Sequence, residues 1–174
     1  SDSRILDLRA KIMTSFMTEL REALDSLGPV AGKRRALSAI TFATEAENRE
    51  FGLDPQTWID RGLIDNLITY PCLADHSYCE IELDYYSRLT TDAPVRYFPN
   101  LMPRHMSTRE YRELAKRYYR AGADGLFFWD TYQRHDFTSQ WQQIRRLGHA
   151  DATDNEIGLR LIPLSGLGGH SFGT

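Results

Sequence analysis

Cysteine is almost missing from this chain. Cys72 and Cys79 are the only two in 174 residues, so at most one bridge can form and a disulfide framework is excluded. Neither has a second Cys or a His at zinc-finger spacing, and two ordinary thiols is the plain reading. An excess of positive charge is also missing. The formal net charge is −3, which offers no electrostatic footprint for nucleic acid or an acidic membrane surface. No apolar run is long enough to cross a bilayer.

Several catalytic signatures are absent too. There is no G-x-x-x-x-G-K-[ST] loop, no G-x-S-x-G elbow and no H-E-x-x-H. The first apolar run leads into "TEAEN" (44–48), without the glycines a dinucleotide site requires. "GLGGHSFG" near the end of the chain is glycine-rich but has no helix after it. No cofactor and no metal is therefore expected. Cys72, with His76 nearby, is a nucleophile pair in outline only.

What is present is ordered. With 41% hydrophobic residues, the chain has enough for a core of one domain. Residues 4–27 place Ile5, Leu8, Ile12, Phe16, Leu20, Ala23, Leu24 and Leu27 at helical spacing, predicting a helix that buries that face and stops at Gly28. "RALSAITFAT" (35–44), "IDNLITYP" (64–71), "PVRYFPN" (94–100) and "ADGLFFWD" (123–130) read as four strands. Between them, "DPQTWIDRG" reads as a helix with Asp54 as N-cap, Pro55 in its first turn and Gly62 closing it. "EIELDYYSRLT" reads as a second. "STREYRELAKRYYRAG" carries a Ser107–Glu110 capping box and ends at Gly122. A last helix is expected through Trp141, Ile144 and Leu147, with "HADATDNEIG" as a linker beyond it. Strands alternating with helices predict an α/β fold of parallel βα units. "RGLIDNLIT" and "AGADGLFF" echo each other, each running from a helix end through glycine and aspartate into a strand.

In parallel α/β proteins ligands bind at the C-terminal ends of the strands. Those ends carry Glu45, Glu47 and Asn48; Tyr70 with Asp75 and His76; Asn100 with Arg104 and His105; and Trp129, Asp130 and Tyr132. Aromatic rings stack on pyranose faces, while carboxylates and amides bind hydroxyls. Paired carboxylic acids are the usual apparatus of glycoside hydrolysis. Glu45, Asp130 and Asp75 are thus the candidate catalytic acids. Tyr70, Asn100, Trp129, Tyr132, His76 and Arg104 are the candidate substrate contacts. Each also has a structural reading: Glu45 and Glu47 as first-turn acids favoured by the helix dipole, Asp130 as an N-cap, and Asn100 as a turn residue. Trp58, Tyr111, Tyr118 and Tyr119 fall at helical positions and read as packing.

The segments "FMTELREALD", "RALSAITFATEAENREFGLDPQTWIDRGLIDNLITYPC", "VRYFPNLMP" and "EYRELAKRYYRAGADGLFFWD" together resemble a bacterial glycosyl-hydrolase-like TIM-barrel family, described as family-10-like. The resemblance covers roughly residues 10–150. It implies that the four strands are the fifth to eighth of a (β/α)8 barrel, with residues 1–150 its C-terminal half. Residues 151–174 would be a linker and the start of a β-rich segment. It implies a carbohydrate-active protein whose partners are a carbohydrate and the N-terminal half of the barrel or a second copy, with no nucleic acid and no membrane. No catalytic pair is carried over. Retaining barrels of the largest glycosidase clan place their nucleophile after strand seven, where this chain has Asn100. A non-catalytic carbohydrate-binding barrel is the alternative, and a flavodoxin-like domain a further one. A full barrel takes about 250 residues, so this chain reads as a piece of one.

Overall fold

The computed structural model describes residues 2–72, 78–102, 106–128 and 147–153. Helix α1 (Ser3–Ser26) leads into strand β1 (Ser38–Thr41), then the short helices α2 (Glu45–Glu50) and α3 (Pro55–Asp60). Strand β2 (Asn66–Thr69), helix α4 (Leu83–Thr90), strand β3 (Arg96–Pro99) and helix α5 (Thr108–Arg120) follow. A 3-10 turn at Ala150–Thr153, within the stretch expected to be a linker, packs against α5. The fold is α/β with a three-stranded parallel sheet.

Local signals place the helix ends. Asp54 caps α3 through Thr57 N–H at 2.9 Å, with Pro55 in the first turn. Ser107 and Glu110 form the complete capping box of α5. Gly28, Gly62 and Gly122 all have positive φ, the left-handed geometry that ends a helix without a Cβ clash. Helix α2 occupies what the sequence presents as a polar stretch, and Thr44 caps it by accepting from Glu47 N–H. The strands are shorter than their apolar runs. In the run 123–130, the described part pairs only at Phe127, which bridges in parallel to Asn100.

The strands lie in chain order, β1-β2-β3, with Ser38, Asn66 and Arg96 in register at one end and Thr41, Thr69 and Pro99 at the other. Successive right-handed crossovers in one direction put the helices on one face of the sheet. That face buries Ala39, Leu67 and Tyr97 against Trp58, Tyr86, Tyr111 and Tyr118; Trp58, Tyr111 and Tyr118 thus pack as expected, and Tyr119 is partly buried against the same core. On the opposite face Ser38, Ile40 and Arg96 stay exposed.

The repeated glycine–aspartate turns have a structural cause. Asp65 N–H donates to Leu37 O at 2.8 Å while its carboxylate accepts Leu37 N–H at 2.7 Å. Asp124 does the same with Tyr97, at 2.9 and 2.8 Å. Each aspartate thus closes the hydrogen-bond ladder at the start of its strand by serving the neighbouring strand. These acids lie at the end of the sheet remote from the predicted site.

Helix α1 corrects the expectation from its spacing. It docks through Thr14, Met17 and Arg21, while Ile5, Leu8, Ile12, Phe16 and Leu27 are exposed. Specific contacts override the apolar pattern. Trp58 Nε1 donates to Thr14 Oγ1 at 3.1 Å, and Arg21 donates to Asp25, Asp65 and the Arg35 carbonyl at 2.6, 3.0 and 2.9 Å. Gly52, at φ +74°, lets the α2–α3 turn come so close that a Cβ there would lie 2.7 Å from the Arg9 backbone.

Arg34 also grips Asp25 with two hydrogen bonds, of 3.0 and 2.9 Å. That grip, reinforced by Arg21, holds the Asp25 carboxyl at about 2, below its ordinary 3.8. A depressed carboxyl stabilises the fold above its unfolded pKa and loses that contribution as pH falls through the folded value. Wild type should therefore be more stable than Asp25→Asn at neutral pH, with the gap closing between pH 3.8 and about 2. Urea melts of both proteins across that range check the sign.

Candidate functional site

Beyond the Thr41–Thr69–Pro99 row, the strands each continue by one residue. Tyr70 N–H donates to Thr41 O and Asn100 N–H to Thr69 O, both at 2.9 Å. Leu101 N–H donates to Phe127 O and Phe127 N–H to Pro99 O, both at 3.0 Å. Phe42, Tyr70 and Asn100 therefore form the next row across the sheet. Alternation along a strand assigns Tyr70 and Asn100 to the face away from the helices, whereas Phe42, one residue past β1, packs its ring on Phe51 at the C-cap of α2 with centroids 5.1 Å apart. Tyr70 is half-buried, whereas Asn100 is fully buried. The structure thus brings two of the predicted contacts onto one rim at the strand C-termini.

Glu45 takes a different position. It is exposed in the first turn of α2, and its backbone N–H donates to Glu82 Oε2 at 2.7 Å. It lines an open groove of about 550 Å³ with Glu82, Asp84, Tyr85, Arg88 and Arg117. That groove is built by the helical layer, from the starts of α2 and α4 and from α5. Asp75, His76, Arg104, Trp129, Asp130 and Tyr132 lie outside the described residues. Among the described residues, no group of three or more His, Cys, Asp or Glu is placed to hold a metal ion. Nor is any described helix long and apolar enough to cross a membrane.

Under the rim, on the helix side, is a buried polar cluster that residue-by-residue reading missed. Asn48 closes the end of β1: its Oδ1 accepts Phe42 N–H at 2.9 Å and its Nδ2 donates to the Tyr86 hydroxyl at 2.7 Å. Tyr86 donates in turn to the Phe42 carbonyl, and Thr41 Oγ1 lies 3.0 Å from the same hydroxyl. Tyr86 stacks on Tyr97 with centroids 5.5 Å apart and rings 6° from parallel. Burial pushes the Tyr86 phenol up to about 12 against the hydrogen bonds it makes, and pushes Tyr97 higher still. Both are neutral hydroxyls at any physiological pH, and the Tyr86 hydroxyl acts as a structural donor and acceptor, not as a base. Asn48, grouped with the rim acids by its place in the chain, is committed to the backbone instead. No sequence signal marked the pair, because Asn48 and Tyr86 lie 38 residues apart in different helices.

No protein-family model matches this chain, and no curated protein matches it. The fold and the rim define its class by themselves: an α/β protein of parallel βα units, with Tyr70 and Asn100 at the C-terminal ends of its strands.

Tyr86→Phe removes the hydroxyl but keeps the ring stack, leaving Asn48 Nδ2 and the Phe42 carbonyl short of a buried partner. The expected cost is about 1–3 kcal/mol. Denaturant melts should show a lower midpoint with an unchanged slope; no change would mean that Asn48 and Phe42 find other partners.

Proposed function

We propose that this chain is the C-terminal half of a (β/α)8 barrel of the glycosyl-hydrolase-like kind, and that its strand-end rim binds or cleaves an oligosaccharide or polysaccharide. The observation that carries the reading is the one-directional order of the parallel strands. The sheet advances β1-β2-β3 and then to Phe127, with the helices on one face, and no described strand reverses the order. A doubly wound sheet opens its ligand crevice at such a reversal, whereas a barrel binds at its C-terminal rim. That rim is where Tyr70 and Asn100 meet. In chain order Asp75 and His76 come next after Tyr70, Arg104 follows Asn100, and Trp129, Asp130 and Tyr132 follow Phe128. In this reading the remaining strands come from the other half of the barrel or from a second copy.

Tyr70 and Trp129 serve as stacking platforms for sugar rings, and Asn100 as a hydroxyl partner. Asp130 and Asp75 supply the acids, with Glu45 joining them only if the helical-layer groove is part of the site. A second reading, a carbohydrate-binding barrel without turnover, is favoured by two observations. The third strand end carries a buried amide, Asn100, in place of an acid, and Glu45 lies among Glu82, Tyr85 and Arg88.

Calorimetric titration with a panel of polysaccharides and oligosaccharides, alongside a reducing-end release assay, separates the outcomes. Tyr70→Ala and Trp129→Ala should each weaken binding about tenfold, as loss of a ring stack worth roughly 1.4 kcal/mol requires. For the hydrolase, Asp130→Asn should cut turnover on the order of a hundredfold or more while binding persists. Binding without hydrolysis, unchanged in Asp130→Asn and Glu45→Gln, selects the non-catalytic barrel. With the rest of the barrel supplied, an absence of binding to any carbohydrate would sink both readings.

A further inference from the structure

We infer that the outward face of α1 is a self-association surface and that its occupant is the antiparallel α1 of a second copy of this chain. Four large apolar side chains stand in a line on that face. Ile5, Leu8, Ile12 and Phe16 are 49%, 57%, 62% and 56% exposed. Their steps of three, four and four residues follow one side of a helix, opposite the Thr14, Met17 and Arg21 face that docks into the protein. The line runs for about 16 Å of helix, and Ala23 and Leu27 extend it, also exposed. A continuous apolar stripe of this kind on a folded surface marks an interaction site.

Charge chooses the occupant. The first half of α1 carries Arg4, Arg9 and Lys11 against the acids Asp2, which Arg4 bonds at 2.9 Å, and Asp7, while the second half carries Glu19, Glu22 and Asp25 around the buried Arg21, so the first half is net basic and the second net acidic. A surface that is basic at one end and acidic at the other is complementary to itself when reversed. Such a contact closes as an isologous dimer. An antiparallel pair centred between Ile12 and Phe16 sets Ile12 against the second copy's Phe16, Leu8 against its Leu20 and Ile5 against its Ala23. The same centring brings Lys11 to Glu19, and Arg4 to Glu22 in exchange for its own-chain partner Asp2, each within about 3 Å of level along the axis. A helix lying on an anionic membrane would carry a predominantly basic polar face, and Glu19 and Glu22 disfavour that occupant. The inference stands independently of any carbohydrate site.

Sedimentation equilibrium of the 174-residue chain over a wide concentration range tests it. Wild type should approach twice 20.1 kDa. Ile12→Glu should weaken the association roughly thirtyfold or more, as loss of a central apolar contact does. Its circular dichroism and melt should be unchanged, because the side chain is exposed. The pair Glu19→Lys with Glu22→Lys should be monomeric alone. So should Arg4→Glu with Lys11→Glu. Mixed, the two should form a heterodimer, which nonspecific sticking cannot produce. A wild-type monomer at every concentration, a dimer indifferent to Ile12→Glu, or charge variants that fail to pair would each overturn the proposal.

Discussion

The hydroxyl of Tyr86 sits where three parts of the molecule must agree. It accepts from the Asn48 amide of α2, donates to the Phe42 carbonyl just past β1, and lies 3.0 Å from Thr41 inside that strand. Its ring stacks on Tyr97 of β3. One side chain of α4 thereby ties the first strand, the helix after it and the third strand into a single layer. A sheet of four-residue strands has few ladder bonds of its own, so its edges depend on side chains of this kind. With β1 ended by Asn48 and the β3 stack in place, Tyr70 and Asn100 emerge on the opposite face at one level.

The other end of the sheet uses charge for the same purpose. Asp65 and Asp124 each bond reciprocally with a residue of the neighbouring strand. Asp65 also takes Arg21 from α1, and Asp25 and Arg34 complete that network. The arrangement explains why α1 presents a polar face inward. A buried arginine requires carboxylate and carbonyl partners, and Arg21 has them only in this orientation. The apolar residues left outside are the consequence.

Much of the fold was legible because much of it is local. The Asp54 and Ser107 caps, the glycines at positive φ and the order of strands and helices all follow from signals within a few residues of each element. Strand lengths were less legible, since an apolar run does not say where its neighbour stops pairing. Helix α2 was hidden by its polarity, with only the Thr44 cap and the following acids to mark it. On the rim, Tyr70 and Asn100 were found because a strand end is readable from sequence. Asn48 was misgrouped because chain position cannot distinguish an amide that faces a ligand from one that bonds the backbone.

The sequence by itself determined the alternation of strand and helix, the helix caps, the left-handed turns and the parallel topology they imply, because each depends on backbone preferences and hydrogen bonds between near neighbours. The tertiary structure alone decided which face of α1 is buried, which carboxylates close the sheet and which amides remain for the rim. Those choices rest on partners 28 to 45 residues away, such as Asp65 for Leu37 and Tyr86 for Thr41, and no periodicity encodes a partner at that distance.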